Sequence, residues 1–202
     1  MIIRNAIKCK ICGDIIESFS VHDYKVCSCG ACAVDGGHEY LRRSAKSFDD
    51  IIELSEVVKN DLYFMCYMVE RVARKLKQHN AYVVNTIGEA ELRHLISVAN
   101  VLHSVNPMQV EADWIAEYNL QQGAFDITAV DKNLCEQIPA ATAMGKVYMR
   151  LILATIQPKE DYVQGMLRVY NNPICDVIDN YNASAYYEPS YLIARAYNDG
   201  GF

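Results

Sequence analysis

No apolar run in this 202-residue chain approaches the roughly 20 residues that a helix needs to cross a bilayer. The opening, MIIRNAIKCKICGD, has neither the basic start nor the continuous apolar stretch of a secretory leader. Both absences lead to the expectation of a cytoplasmic protein with no membrane-embedded part. Positive charge is also short: 19 Lys and Arg face 25 Asp and Glu, a formal net charge of -6. Residues 1–60 hold eight basic against nine acidic side chains, so the deficit falls mostly on the rest. A nucleic-acid binder concentrates positive charge, and the bulk field here opposes that.

Catalytic signatures are missing too. There is no glycine-rich phosphate loop, G-x-S-x-G elbow, H-E-x-x-H pair or G-x-G-x-x-G turn. The polar groupings that do occur are Glu89 and Glu91 with His94, Asp176 with Asp179, and His103 near Asp113. Each reads as helix-surface charge, without a matching nucleophile or open metal position. The expectation is a protein that is not an enzyme.

What the chain does have is apolar substance, 51% hydrophobic against 22% charged residues. That composition supports a packed core and argues against disorder. The length accommodates one ordinary domain and a small one.

Eight cysteines in a reducing compartment are better suited to metal or redox chemistry than to four disulfides. Cys66, Cys135 and Cys175 stand in apolar helical contexts and read as small buried hydrophobes. The other five cluster in CKICG and CSCGAC. A tight turn with two cysteines a few positions apart supplies half of a tetrahedral site, and Gly13 after Cys12 permits the positive φ that aims backbone amides at sulfur. In the second cluster Cys29 is the cysteine followed by glycine. Cys9, Cys12, Cys27 and Cys29 are therefore the expected ligands of a closed structural zinc site. The competing sets bring in Cys32 for Cys27 or Cys29, or recruit His22 or His38. Residues from Ile2 to about Tyr40 contain only short β-prone runs, too little to bury a core without a metal.

VDGGHEYLRRS follows, with a turn at Asp35-Gly36-Gly37 and an aromatic and basic cluster at Tyr40, Arg42 and Arg43. One reading is a contact for an anion or a partner. The other is a pair of solvated arginines lying over an apolar edge. CKICGDIIES and CSCGACAVDGGHEYLRR together resemble a small uncharacterised zinc-ribbon family of Firmicutes and their mobile elements, whose pattern is C-x-x-C, C-x-C-G and D-G-G-x-x-Y-L-R-R. The resemblance implies the same four cysteine ligands, leaves Cys32 outside the pattern, and carries no activity to transfer.

Beyond residue 43 a linker over 44–60 is expected, with Ser47 or Asp49 capping a short helix. Asn60 or Asp61 then opens a longer one. Leu62, Met65, Val69, Val72 and Leu76 form its apolar face, with Glu70, Arg71, Arg74 and Lys75 opposite. A helix, a turn at Gly88 and a second helix to about His103 follow; the acidic Glu89 and Glu91 argue against DNA reading by that hairpin. Pro107 opens a helix that carries the only tryptophan, Trp114, as core or interface rim. QGAFDITAVD reads as an extended connection. The apolar VYMRLILATI reads as a central buried helix capped by Thr142, and Pro173 opens the last predicted turn of helix before the tail.

Seven of the fourteen tyrosines fall in the last 41 residues. Tyr186, Tyr187, Tyr191 and Tyr197 are the candidate contacts for a protein partner or for self-association, since tyrosine combines large area with a polar tip. The alternative is that these rings close a helical core. VANVLHSVNPMQV, GAFDIT and IPAATAMGKVYMRLI resemble helical proteins encoded beside toxin genes in gut Firmicutes, which implies an antitoxin-type or anti-defence role.

The resulting expectation is an α+β protein: a zinc ribbon over 1–43, a linker over 44–60, and a mostly helical domain over 61–202 with a tyrosine-rich end. Its expected function is that of a non-catalytic binding protein that modulates or inhibits a macromolecular partner. The alternative is a nucleic-acid-binding regulator using Tyr40, Arg42, Arg43 and the Gly88 hairpin.

Overall fold

The computed structural model describes residues 2–57 and 61–202, and the side chains at 3, 56, 57 and 100 are outside that description. The chain forms two compact units, Met1–Asn60 and Asp61–Phe202. It is an α+β protein: small antiparallel sheets come first and helices follow.

Among the described residues of the first unit there are eight short strands. β1 (Ile2–Arg4) pairs with β8 (Glu56–Val57). β2 (Ala6–Cys9) lies between β3 (Ile15–Glu17) and β7 (Ile51–Glu53), and β5 (Cys32–Asp35) between β4 (Lys25–Val26) and β6 (Arg42–Ala45). The register sets Ile7 opposite Ile16 on one side and Glu53 on the other, and places Cys9 beside Ile51. The buried cluster is Ile7, Cys9, Cys27, Cys32 and Val34, with Cys12, Ile16, Ala31, Ala45 and Ile51 against it, and Ile2, Ala6 and Ala33 are buried as well. So few apolar residues, several of them cysteines, make a weak core by themselves.

The segment expected as a linker carries β6, β7 and β8 up to residue 57; residues 58–60 lie outside the described residues. The physical reason is that β2 and β5 each need a partner on their second edge, which β7 and β6 provide. Ser47 does cap a turn of helix, Phe48–Asp50, its Oγ accepting from the Asp49 N–H at 3.2 Å.

Among the described residues of the second unit there are seven α-helices: α1 (Asp61–Leu76), α2 (Asn80–Leu102), α3 (Pro107–Glu117), α4 (Ala141–Thr155), α5 (Tyr162–Tyr170), α6 (Ile174–Ile178) and α7 (Ser190–Asp199). α1 packs on α2, α3 and α4, while α5 packs on α2 and α4, and α7 on α4. The expected turn at Gly88 is a break inside α2, at φ 80° and ψ 165°. Trp114 is buried. α4 starts after Ala140 with no side-chain cap, so Thr142 is inside the first turn and is not the capping residue. The wet face expected for α1 needs a second correction. Glu70 is fully buried, because helices lie against α1 on several sides and its carboxylate meets donors there.

α1 and α4 cross closely at Gly145. A Cβ built there would come 2.9 Å from the Tyr67 backbone. Gly145→Ala gains up to about 1 kcal/mol of helix propensity but overpacks the crossing by about 1–3 kcal/mol. A net fall in the melting temperature of the helical unit is expected by calorimetry; a rise would mean that α1 and α4 part freely.

Candidate metal centre

Each cysteine pair occupies a turn between two paired strands. Cys9 closes β2 and Cys12 follows before β3, and Cys27 and Cys29 lie between β4 and β5. Gly13 and Gly30 take φ of 81° and 72°, the left-handed region that glycine enters without a steric penalty. The Gly13 N–H donates to the Cys9 carbonyl at 2.9 Å, and the Gly30 N–H donates to the Cys27 carbonyl at 2.9 Å. The two knuckles thus share one construction. Asp14 ties them together, its Oδ2 accepting from the Ser28 N–H at 2.7 Å.

The four sulfurs of Cys9, Cys12, Cys27 and Cys29 all lie within 4.8 Å of one another. Cys29 Sγ is 3.5 Å from Cys27 Sγ and 3.7 Å from Cys9 Sγ. Tetrahedral ligation with metal–sulfur bonds of about 2.3 Å sets neighbouring sulfurs about 3.8 Å apart, so the spacing fits a single ion. These four cysteines can hold a metal ion. Among the described residues neither Cys32 nor any histidine joins the group, so His22, His38 and Cys32 are not brought to it. Cys32 serves through its backbone: its N–H points at Cys27 Sγ from 3.2 Å, while its own buried thiol faces the Asp50 carbonyl at 3.7 Å.

Thiolates packed this tightly cannot all ionise unaided. The Asp14 amide draws the Cys12 thiol down to about 6, against desolvation. Burial resists ionisation of Cys27, yet the Cys32 amide and the neighbouring thiols hold it below the ordinary thiol range. Cys29 is pushed up to about 12: the Ala31 amide pulls it down, but Cys12, desolvation, Cys27 and Cys9 outweigh that pull. Burial pushes Cys32 up to about 12. A cation among the four removes this conflict between neighbouring thiolates.

The Asp35-Gly36-Gly37 turn is held by a residue that the sequence reading passed over. Asn5 is fully buried, and its Nδ2 donates to the carbonyls of Asp35, Gly37 and Tyr40 at 3.0, 2.8 and 3.1 Å. Arg43 closes the arrangement, bonding Asn5 Oδ1 at 2.7 Å, Ser55 Oγ at 2.7 Å and the Glu53 carboxylate at 2.7 and 2.9 Å. Arg43 is thus committed to bonds within the unit rather than lying solvated over an apolar edge. Asn5→Ala strands three carbonyls and is expected to cost roughly 2–4 kcal/mol, read by denaturant unfolding followed at residues 2–57. Tyr40 and Arg42 remain at the surface, with Arg42 3.8 Å from Asp35.

The tail tyrosines divide. Tyr186 is buried, Tyr197 accepts from Arg168 Nη1 at 2.7 Å, and Tyr187 and Tyr191 are 71% and 66% exposed. Tyr148, Tyr170 and Tyr181 are core residues.

Inside the helical unit lies a polar cluster that no local pattern announced. Tyr148 and Asn80 Nδ2 donate to the Asp179 carboxyl, Asn80 Nδ2 also reaches Glu70 Oε2 at 2.9 Å, and Arg74 Nε meets Glu70 Oε1 at 2.7 Å. Asp179, expected as helix-surface charge, is buried because α6 turns that edge inward. His103 lies 3.8 Å from Asp61, and Glu89 pairs with Arg93 at 2.6 Å on the surface.

Among the described residues no helix is long and apolar enough to cross a membrane. A family model described as "Domain of unknown function (DUF7695)" matches residues 1–45, the stretch that contains the four cysteines of the candidate site and Cys32. No curated protein and no solved structure matches the chain.

Proposed function

We propose that the four thiolates hold zinc as a structural staple and that the chain is a non-catalytic binding protein. In this reading it recognises a macromolecular partner, a protein, and modulates or inhibits it, as an antitoxin or an anti-defence inhibitor does. The observation that carries the reading is the donor set: four cysteine sulfurs within 4.8 Å of one another would fill all four positions of a tetrahedral ion and leave none for a substrate. All-thiolate tetrahedral sites favour zinc among the common divalent ions. The exposed Tyr187 and Tyr191 supply the large, lightly rotored anchors that binding surfaces favour. The net charge of -6 favours encounter with a basic surface.

The test is capture of partners by the tagged chain from nuclease-treated lysate, beside a Tyr187→Ala, Tyr191→Ala variant. One stoichiometric protein, absent from the variant capture, is the expected result. Retention that requires intact nucleic acid would transfer the role to a nucleic-acid regulator using Tyr40 and Arg42. A chain that stays alone and turns over a substrate would contradict both.

A further inference from the structure

A cleft of about 370 Å³ opens in the helical unit beside the buried Asp179, and neither the metal centre nor the exposed tyrosines take part in it. Phe125 and His79 form one wall, their rings stacked at 3.6 Å and 13°. Asp176, Asp179, Asn180 and Asn182 supply much of the polar lining, with Ile127 among the apolar residues. Among the described residues that line it there is no Lys or Arg. Lys77 is nearby, 3.3 Å from Asp126.

Several of these polar groups keep unspent capacity, although Asp179 is already bonded to Tyr148 and Asn80. Asn180 Oδ1 accepts from the Asn182 N–H, and Asn182 Oδ1 accepts from the Asp131 N–H at 2.9 Å. That leaves the Nδ2 donors of both carboxamides without a partner among the described residues. The Asp176 carboxylate and the His79 ring nitrogens make no hydrogen bond there either. A cleft this polar fixes its ligand through such unspent groups.

The chemistry selects among ligand classes. A phosphate or carboxylate ligand would meet carboxylates, and the nearby cation Lys77 is already paired with Asp126 of the lining. A simple ammonium or guanidinium offers donors only and would leave both carboxamide N–H groups unanswered. A hydroxyl donates and accepts, so neighbouring hydroxyls can donate to Asp176 while accepting from Asn180 and Asn182. An aromatic wall suits the flat face of a ring. We propose that this cleft binds a small uncharged ring compound with adjacent hydroxyls, a free sugar or the sugar of an unphosphorylated nucleoside. A second opening of about 480 Å³ shares His79, Asp176 and Asp179 and gives room for a further ring or base.

Saturation-transfer NMR and titration calorimetry on the full chain test the proposal. The probes are glucose, galactose, mannose, adenosine and uridine, each at up to about 10 mM, beside glucose 6-phosphate and AMP. Binding of at least one uncharged probe is expected, with dissociation constants near the millimolar range and its phosphorylated form weaker by tenfold or more. Response to sugars alone identifies a saccharide site, and response to nucleosides alone a nucleoside site. Asp176→Ala and Phe125→Ala change exposed residues and should each weaken binding at least tenfold, with unchanged circular dichroism. Absence of binding by every uncharged probe, equal or tighter binding of the phosphorylated forms, or binding indifferent to both variants overturns the proposal.

Discussion

Stripping the metal with a strong chelator is expected to unfold residues 2–57 while the helical unit stays folded. Among the described residues of the first unit the buried cluster is five residues, three of them cysteines, with little beyond Ile2 and the small Ala6 and Ala33 added to it, so its apolar burial falls short of the ordering entropy of some fifty residues. Structural zinc contributes roughly 10–16 kcal/mol of apparent binding free energy in small modules, as much as a typical domain's entire stability. The helical unit has its own core around α1 and α4, including Leu62, Met65, Val69, Met149 and Ile152. Amide exchange after chelation should therefore lose protection at Ile7 and Val34 and keep it at Val69 and Ile152. Retained protection in both units would show that the sheets stand without metal.

The second large effect concerns Asp179. Burial, and then the charge of Glu70, push its carboxyl well above the ordinary carboxylate range, while Tyr148 and Asn80 hydrogen bonds pull the other way. Asp176 adds to the upward push, and Arg74 faces Glu70 from one turn along α1. A pKa raised in the folded state means that the native protein binds this proton more tightly than the unfolded chain does. Its stabilisation is complete below the unfolded value near 3.8 and is lost as pH rises through the folded value. Stability of the helical unit should thus fall with rising pH across that window, by at most about 1.4 kcal/mol per pH unit from this group. Asp179→Asn cannot titrate, and the slope should flatten in urea unfolding measured at several pH values. Asp179→Ala also strands the Tyr148 hydroxyl and leaves the Asn80 amide with Glu70 as its acceptor, at roughly 1–3 kcal/mol. An unchanged slope in Asp179→Asn would place the proton elsewhere.

The cysteine knuckles were legible in the sequence because their geometry is local: a few positions and one glycine fix where each pair of sulfurs points. Gly88 was legible for the same reason, a single residue with φ 80° in a helical stretch. The strands of residues 42–57 were not, since Cys9 finds Ile51 and Val34 finds Arg43 only through pairing set by the whole sheet. Arg43 looked like surface charge because its partners Asn5, Glu53 and Ser55 are remote or separately unremarkable. Glu70 and Asp179 were misplaced by a rule that assigns one wet face to each helix. α1 has helices against it on several sides, and two carboxyls from distant segments share the Asn80 amide. The tyrosine-rich end resolved into three environments, with Tyr186 buried, Tyr197 bonded to Arg168, and Tyr187 and Tyr191 in solvent, which composition alone does not separate.

Metal content per chain, measured by elemental analysis on protein purified without chelator, tests the four-thiol site most directly when set beside Cys27→Ser, Cys29→Ser and Cys32→Ser. One zinc per wild-type chain, loss or severe depletion in the first two variants and full retention in Cys32→Ser is the expected result. Zinc-free wild-type protein, or zinc that departs with Cys32 and stays without Cys29, would contradict the assignment.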